Sequence, residues 1–205
     1  PVALQNEVDF ILNTIESYLI RKPERQDVLS VFAGLRPLAA PKDKSEKTKE
    51  VSRSHKILVS NSKLISIIGG KWTTYRKMAE DVMDKAIEVH GIPFKGSKTR
   101  HLSIHGNILE NADLPRNHLH IYGSDGKRIE KLLSENPEYS KQIHKEYPFT
   151  VGEVIWCVNY EMARTLEDVL ARRIRLLFID ARAAIEASTI VSKIMAKELN
   201  KDTDW

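Results

Sequence analysis

Along the chain the apolar residues change period. Within residues 7–20, Val8, Ile11, Leu12, Ile15, Tyr18 and Leu19 recur three and four apart, the spacing of one helix face, and Pro23 follows as a stop. Val28, Leu29, Val31 and Phe32 then read as a strand that Gly34 breaks and Pro37 fixes, which leaves Arg36 where a strand ends. Residues 41–50 alternate lysines with Asp43, Glu46 and Glu50 and read as a solvated loop. Two more strand patterns, residues 51–59 and 64–68, flank a polar turn and predict an antiparallel hairpin. After the glycine pair Gly69-Gly70, apolar residues at Tyr75, Met78, Ala79, Val82, Met83 and Ala86 restore the helical period as far as Gly91 and Pro93.

The second half is patterned as helices. Residues 91–111 carry Pro93, Gly96 and Gly106 among polar positions and read as a linker. Short helices are predicted over residues 114–122, 124–134 and from Pro137, with Ile129, Leu132 and Leu133 facing inward. Thr150 with Glu153, and Thr165 with Asp168, have capping-box spacing. From Leu176 to Leu199 the spacing of Ile179, Ala183, Ala187, Ile190, Val191, Ile194 and Met195 predicts one long helix, its small residues suited to close contact.

Composition bounds this picture without choosing a function. With 41% hydrophobic residues, 205 residues suffice for one large or two small cores. The net charge of +4 fits a small anion, an acidic membrane surface or a weak nucleic-acid contact equally well. Cys157 is the single cysteine, which excludes an internal disulfide framework and fits a reducing compartment. No apolar run approaches the ~20 residues of a membrane span. A start at Pro1, directly before a helical pattern, suggests a piece of a longer chain.

The strand, glycine turn and helix of residues 63–86 carry the clearest chemistry. A helix that begins near Lys71–Thr74 leaves its first N–H groups without intrahelical partners, and Lys71 adds a charge, so the turn suits an anion or a group that becomes anionic. The competing reading is an ordinary strand-to-helix connection with Lys71 in solvent and Thr73 or Thr74 as a cap. Arg36 and Arg53 are paired either with a phosphate or carboxylate ligand or with surface acids. His101 and His105, and His118 and His120, lack the partners of a metal site, and no metal is expected. Arg172, Arg173 and Arg175 lack an aromatic stripe for nucleic acid, and pairs with Glu161, Glu167 and Asp168 account for them. Cys157 reads as an inert core thiol.

Four segments in register carry a resemblance: residues 33–38 (Ala-Gly-Leu-Arg-Pro-Leu), 52–57 (Ser-Arg-Ser-His-Lys-Ile), 69–80 from Gly69-Gly70-Lys71-Trp72-Thr73-Thr74, and 161–173. Together they resemble the C-terminal portion of the FAD-dependent glycerol-3-phosphate dehydrogenases over nearly the whole chain. The resemblance implies an α+β fold: the end of an FAD/substrate-binding domain (helix, antiparallel strands, helix; residues 1–92), a linker (93–112) and an all-α C-terminal cap domain (113–205). It implies oxidation of sn-glycerol 3-phosphate to dihydroxyacetone phosphate, with electrons passed to a membrane quinone. Gly69, Gly70, Lys71, Trp72 and Thr73 are then expected against the flavin, Arg36 near the reacting oxygen as the catalytic residue, and Arg53 with Lys71 at the phosphate. Ser54 stands where that family commonly has aspartate. No Gly-x-Gly-x-x-Gly follows a strand near the start, so FAD is not expected to be held by this piece alone, which is expected to be inactive. Expected further are a cytoplasmic location, peripheral on the inner face of the membrane, a homodimer through exposed apolar surface, and no nucleic acid. Two alternatives stay open: an oxidase of the same family that reduces oxygen, and a non-catalytic helical interaction module.

Overall fold

A computed structural model describes residues 1–35, 54–108 and 117–202. It comprises two units, one of Pro1–Gly34 with Ile104–Trp205 and one of Leu35–Ser103.

In the smaller unit, strands β1 (His55–Val59) and β2 (Ile65–Gly69) form the expected antiparallel hairpin, with Ile57 opposite Ile67 and His55 opposite Gly69. Ser60 closes the turn, its hydroxyl accepting from Leu64 N–H at 3.1 Å. One 3₁₀ turn, Trp72–Thr74, leads into helix α2 (Tyr75–His90), which ends on Gly91 at φ 62°. None of the described residues of this unit is buried.

Helix α1 (Gln5–Glu16) opens the larger unit and stops short of Ile20. Tyr18, Leu19 and Ile20 are exposed there, so no packing extends the helix past Ser17. The strand expected from Val28 does not form among the described residues. That segment bonds irregularly to a helix start instead: Leu29 C=O accepts from Ala181 N–H at 3.1 Å and the Ser30 hydroxyl donates to Leu177 C=O at 2.7 Å.

The rest of the larger unit is mostly helical: α3 (Gly126–Glu135), α4 (Val151–Tyr160), a π-helical turn at Asp168–Arg173, α5 (Leu176–Ile179) and α6 (Ala181–Glu198). Two sequence expectations are corrected here. The region is not all-α, because β3 (Gln142–His144) and β4 (Tyr147–Thr150) form a hairpin that turns Ile143 and Phe149 into the core. The long C-terminal helix is broken at Asp180, whose carboxylate accepts from the N–H groups of Arg182 (2.9 Å) and Ala183 (3.1 Å) and caps a new helix. The Thr150–Glu153 capping box forms as expected. Around α4 and α6 the core gathers Val154, Cys157, Val158, Val169, Leu170, Leu176, Ala183, Ala187, Val191 and Met195.

Candidate functional site

The turn between β2 and α2 is built by backbone conformation first. Gly69 and Gly70 have φ of 75° and 96°, a region that side chains disfavour. A Cβ on Gly70 would lie 2.5 Å from the Met78 sulfur and terminal carbon, so this glycine also lets the turn close onto α2. Lys71 is extended (φ −121°, ψ 143°) and starts the 3₁₀ turn. Neither Thr73 nor Thr74 caps the turn through its side chain, which corrects that expectation. The Thr74 hydroxyl instead donates to Lys71 C=O at 3.0 Å. Trp72 is 86% exposed and stacks on Tyr75, with ring centroids 5.6 Å apart.

Behind the turn the charges are matched. His55 Nε2 lies 3.0 Å from Asp81 Oδ2, Lys77 Nζ lies 2.7 Å from Glu80 and 2.9 Å from Asp81, and Arg76 pairs with Glu80. Hydrogen bonds from Arg76, then Lys77, hold the Glu80 carboxyl down at about 2, and Lys77 holds Asp81 below the usual carboxylate range. The same two acids raise the Lys77 ammonium. Glu80, Asp81 and Asp84 converge, but the first two already face these cations. Lys71 differs: its ammonium has no hydrogen-bond or ion-pair partner among the described residues. An uncommitted cation, a helix start and an exposed aromatic face therefore lie within one turn, the arrangement that attracts a planar or phosphorylated anion.

Of the residues singled out from sequence, Gly69, Gly70, Lys71, Trp72 and Thr73 lie together in this turn, while Arg36 and Arg53 lie outside the described residues. The histidine pairs are separated by their partners: His105 meets Asp125, His118 meets Glu153 and His120 bonds Asn117 C=O. Arg172 pairs with Glu167 and Asp168, and Arg173 with Glu161 and Asp168, as their spacing suggested. The Cys157 thiol is buried, and burial raises its pKa, as expected of an inert core cysteine. Sequence reasoning missed His55 as the residue tying β1 to α2 through Asp81. Its only signal was a polar residue opening an apolar strand.

A family model described as the C-terminal domain of alpha-glycerophosphate oxidase matches residues 60–204. The chain is 37% identical over 218 residues to the probable mitochondrial glycerol-3-phosphate dehydrogenase of Dictyostelium discoideum, covering 96% of this chain and 34% of that protein. It is 33% identical over 220 residues to the mitochondrial glycerol-3-phosphate dehydrogenase of Rattus norvegicus, covering 98% and 30%. A probable mitochondrial glycerol-3-phosphate dehydrogenase of Caenorhabditis elegans is 36% identical over 220 residues, covering 97% and 30%. The chain thus spans about a third of the length of these curated relatives.

Proposed function

The chain belongs to the glycerol-3-phosphate dehydrogenase and oxidase family, as its C-terminal portion, and from that premise we propose that it forms one wall of a flavin site. In the complete protein this site would oxidise sn-glycerol 3-phosphate to dihydroxyacetone phosphate, and the piece alone would be inactive. The observation that carries the reading is Lys71, exposed and unpartnered among the described residues, at the helix start that follows Gly69-Gly70.

The residues of the turn fit FAD. Gly69 and Gly70 keep the backbone free of side chains, Trp72 and Tyr75 offer an exposed aromatic surface, and Lys71 offers a charge. FAD, when bound, supplies the acceptor for the hydride that leaves substrate C2. Lys71 and the first N–H groups of the helix would stabilise negative charge at the ring's pyrimidine edge, and they need no rearrangement to do so. Thr74 anchors Lys71 C=O and so fixes the direction of the turn. Arg53 would hold the substrate phosphate together with Lys71, and Arg36 would meet the reacting oxygen. Quinone as acceptor, peripheral contact with the inner face of a membrane from the cytoplasm, and a homodimer belong to the same proposal. None of the described helices is long and apolar enough to cross a membrane. The matching family description names an oxidase, so oxygen is the second acceptor to test.

The test is anaerobic bleaching of the flavin spectrum by glycerol 3-phosphate in the full-length protein. Lys71→Ala is expected to slow bleaching about 10²-fold, the size of effect seen when one preorganised donor is removed. Bleaching at the unaltered rate would remove Lys71 from the site.

A further inference from the structure

The larger unit contains a cavity of about 1070 Å³ whose chemistry differs from that of the glycine turn. Its walls combine apolar side chains, with Phe32, Ile121, Phe149, Ile174, Phe178 and Ile179 among them, and charged or polar ones. Phe32 meets Phe178 edge to face, ring centroids 4.7 Å apart. Most charged groups on the lining have a partner: His105 meets Asp125, His118 meets Glu153, Arg172 pairs with Glu167 and Asp168, and Arg173 with Glu161 and Asp168.

Two lining groups are left over. Arg175 has no carboxylate partner among the described residues, and its guanidinium lies 5.6 Å from the Phe178 ring centroid. Its backbone is left-handed at φ 64°, where glycine would sit more easily, so an arginine stands at a position that the fold alone does not favour. His120 bonds Asn117 C=O through Nδ1 at 2.8 Å. A carbonyl only accepts, so Nδ1 carries the proton and Nε2 remains for another partner.

We propose that this cavity binds an amphiphilic carboxylate, a single alkyl chain with an acidic head. The Arg175 fork meets the carboxylate and the chain lies along Phe178, Phe32 and Ile121. One unmatched planar cation calls for one planar monoanion, which a carboxylate matches with two parallel N–H donors. The apolar side chains favour a ligand with an apolar part, since they offer nothing to replace the water lost by polar groups set against them. The volume slightly exceeds the about 300–1,000 Å³ usual for ligand pockets and leaves room for an alkyl chain.

Calorimetric titration of the full-length protein with dodecanoate tests this, with acetate and the neutral amphiphile dodecyl maltoside as comparators. Saturable binding of one dodecanoate is expected, with acetate and dodecyl maltoside at least tenfold weaker. Arg175→Gly should weaken dodecanoate binding about tenfold or more while leaving the melting temperature unchanged or higher, because glycine suits φ 64°. Equal affinity for dodecyl maltoside, competition by acetate at equal concentration, or unaltered binding in Arg175→Gly would each overturn the proposal. So would the absence of saturation with dodecanoate.

Discussion

The two units turn similar amphipathic patterns into different degrees of burial. In the helical unit, α4 is enclosed from Gly152 to Val158, and α6 sets Ala183, Ala184, Ala187, Val191 and Met195 into the same core. In the hairpin unit, α2 has a comparable stripe, yet Met83 is 57% exposed, Tyr75 52% and Ile68 of β2 43%. A two-stranded hairpin and one helix provide two thin layers, too few to enclose a side chain from all sides. Periodicity therefore identifies the apolar face, whereas a further layer decides whether that face is buried. Apolar surface left uncovered in this way marks an element that ordinarily packs against something else. The proposed flavin-domain role would supply such a layer in the longer protein.

Glu153 is the place where this contrast can be broken most sharply. It is fully buried and accepts from Thr150 N–H (2.8 Å), the Thr150 hydroxyl (3.1 Å), Tyr122 OH (3.0 Å) and His118 Nε2 (2.8 Å). Glu153→Ala leaves these donors buried without their acceptor and is expected to cost about 3–5 kcal/mol in urea unfolding. Hydrogen exchange should then quicken in α4 and α6 and remain as it was in β1, β2 and α2. Equal loss of protection in the hairpin would show that the two regions are one cooperative unit. Glycines give a smaller contrast of the same kind. A Cβ on Gly123 (φ 57°) would lie 1.9 Å from Gly106 C=O oxygen, a backbone atom, whereas that on Gly70 meets the flexible end of Met78. Gly123→Ala should destabilise by about 1–3 kcal/mol, with Gly70→Ala costing less, as compared by thermal melts.

Sequence made these regions legible to different depths. The β1–β2 hairpin, α2, the Thr150–Glu153 box and the pairs of Arg172 with Glu167 and Asp168 all follow from local spacing, because each involves residues close in sequence. The β3–β4 hairpin was missed because strands of three and four residues are too short to show alternation. Asp180 was missed as a helix break because apolar residues keep the helical period on both sides of it, and only its capping bonds reveal the interruption. Within the candidate site the consecutive residues Gly69–Thr73 were legible, since a turn keeps neighbours in sequence together. The His55–Asp81 tie was not, because 26 positions separate its members and only the fold brings them to 3.0 Å.

The smallest expected effect concerns how each region holds its carboxylates. Asp180 lies below the ordinary value of 3.8 chiefly because Ala183 N–H donates to it, with Tyr147 OH and Arg182 N–H adding to the effect. Glu80 is held at about 2 chiefly by the Arg76 and Lys77 side chains. Both folded values are depressed, so both contributions are complete above the unfolded values and are lost as pH falls through the folded ones. For Glu80 that window runs from 4.5 down to about 2, and for Asp180 it lies below 3.8. Salt should separate the two causes, because ions screen exposed charged side chains but do not replace a backbone N–H that caps a helix. In a carboxyl NMR titration, raising salt to about 1 M, where the Debye length is about 3 Å, should move Glu80 up toward 4.5 and leave Asp180 nearly in place. Equal movement of the two would mean that long-range charge, not the helix cap, holds Asp180 down.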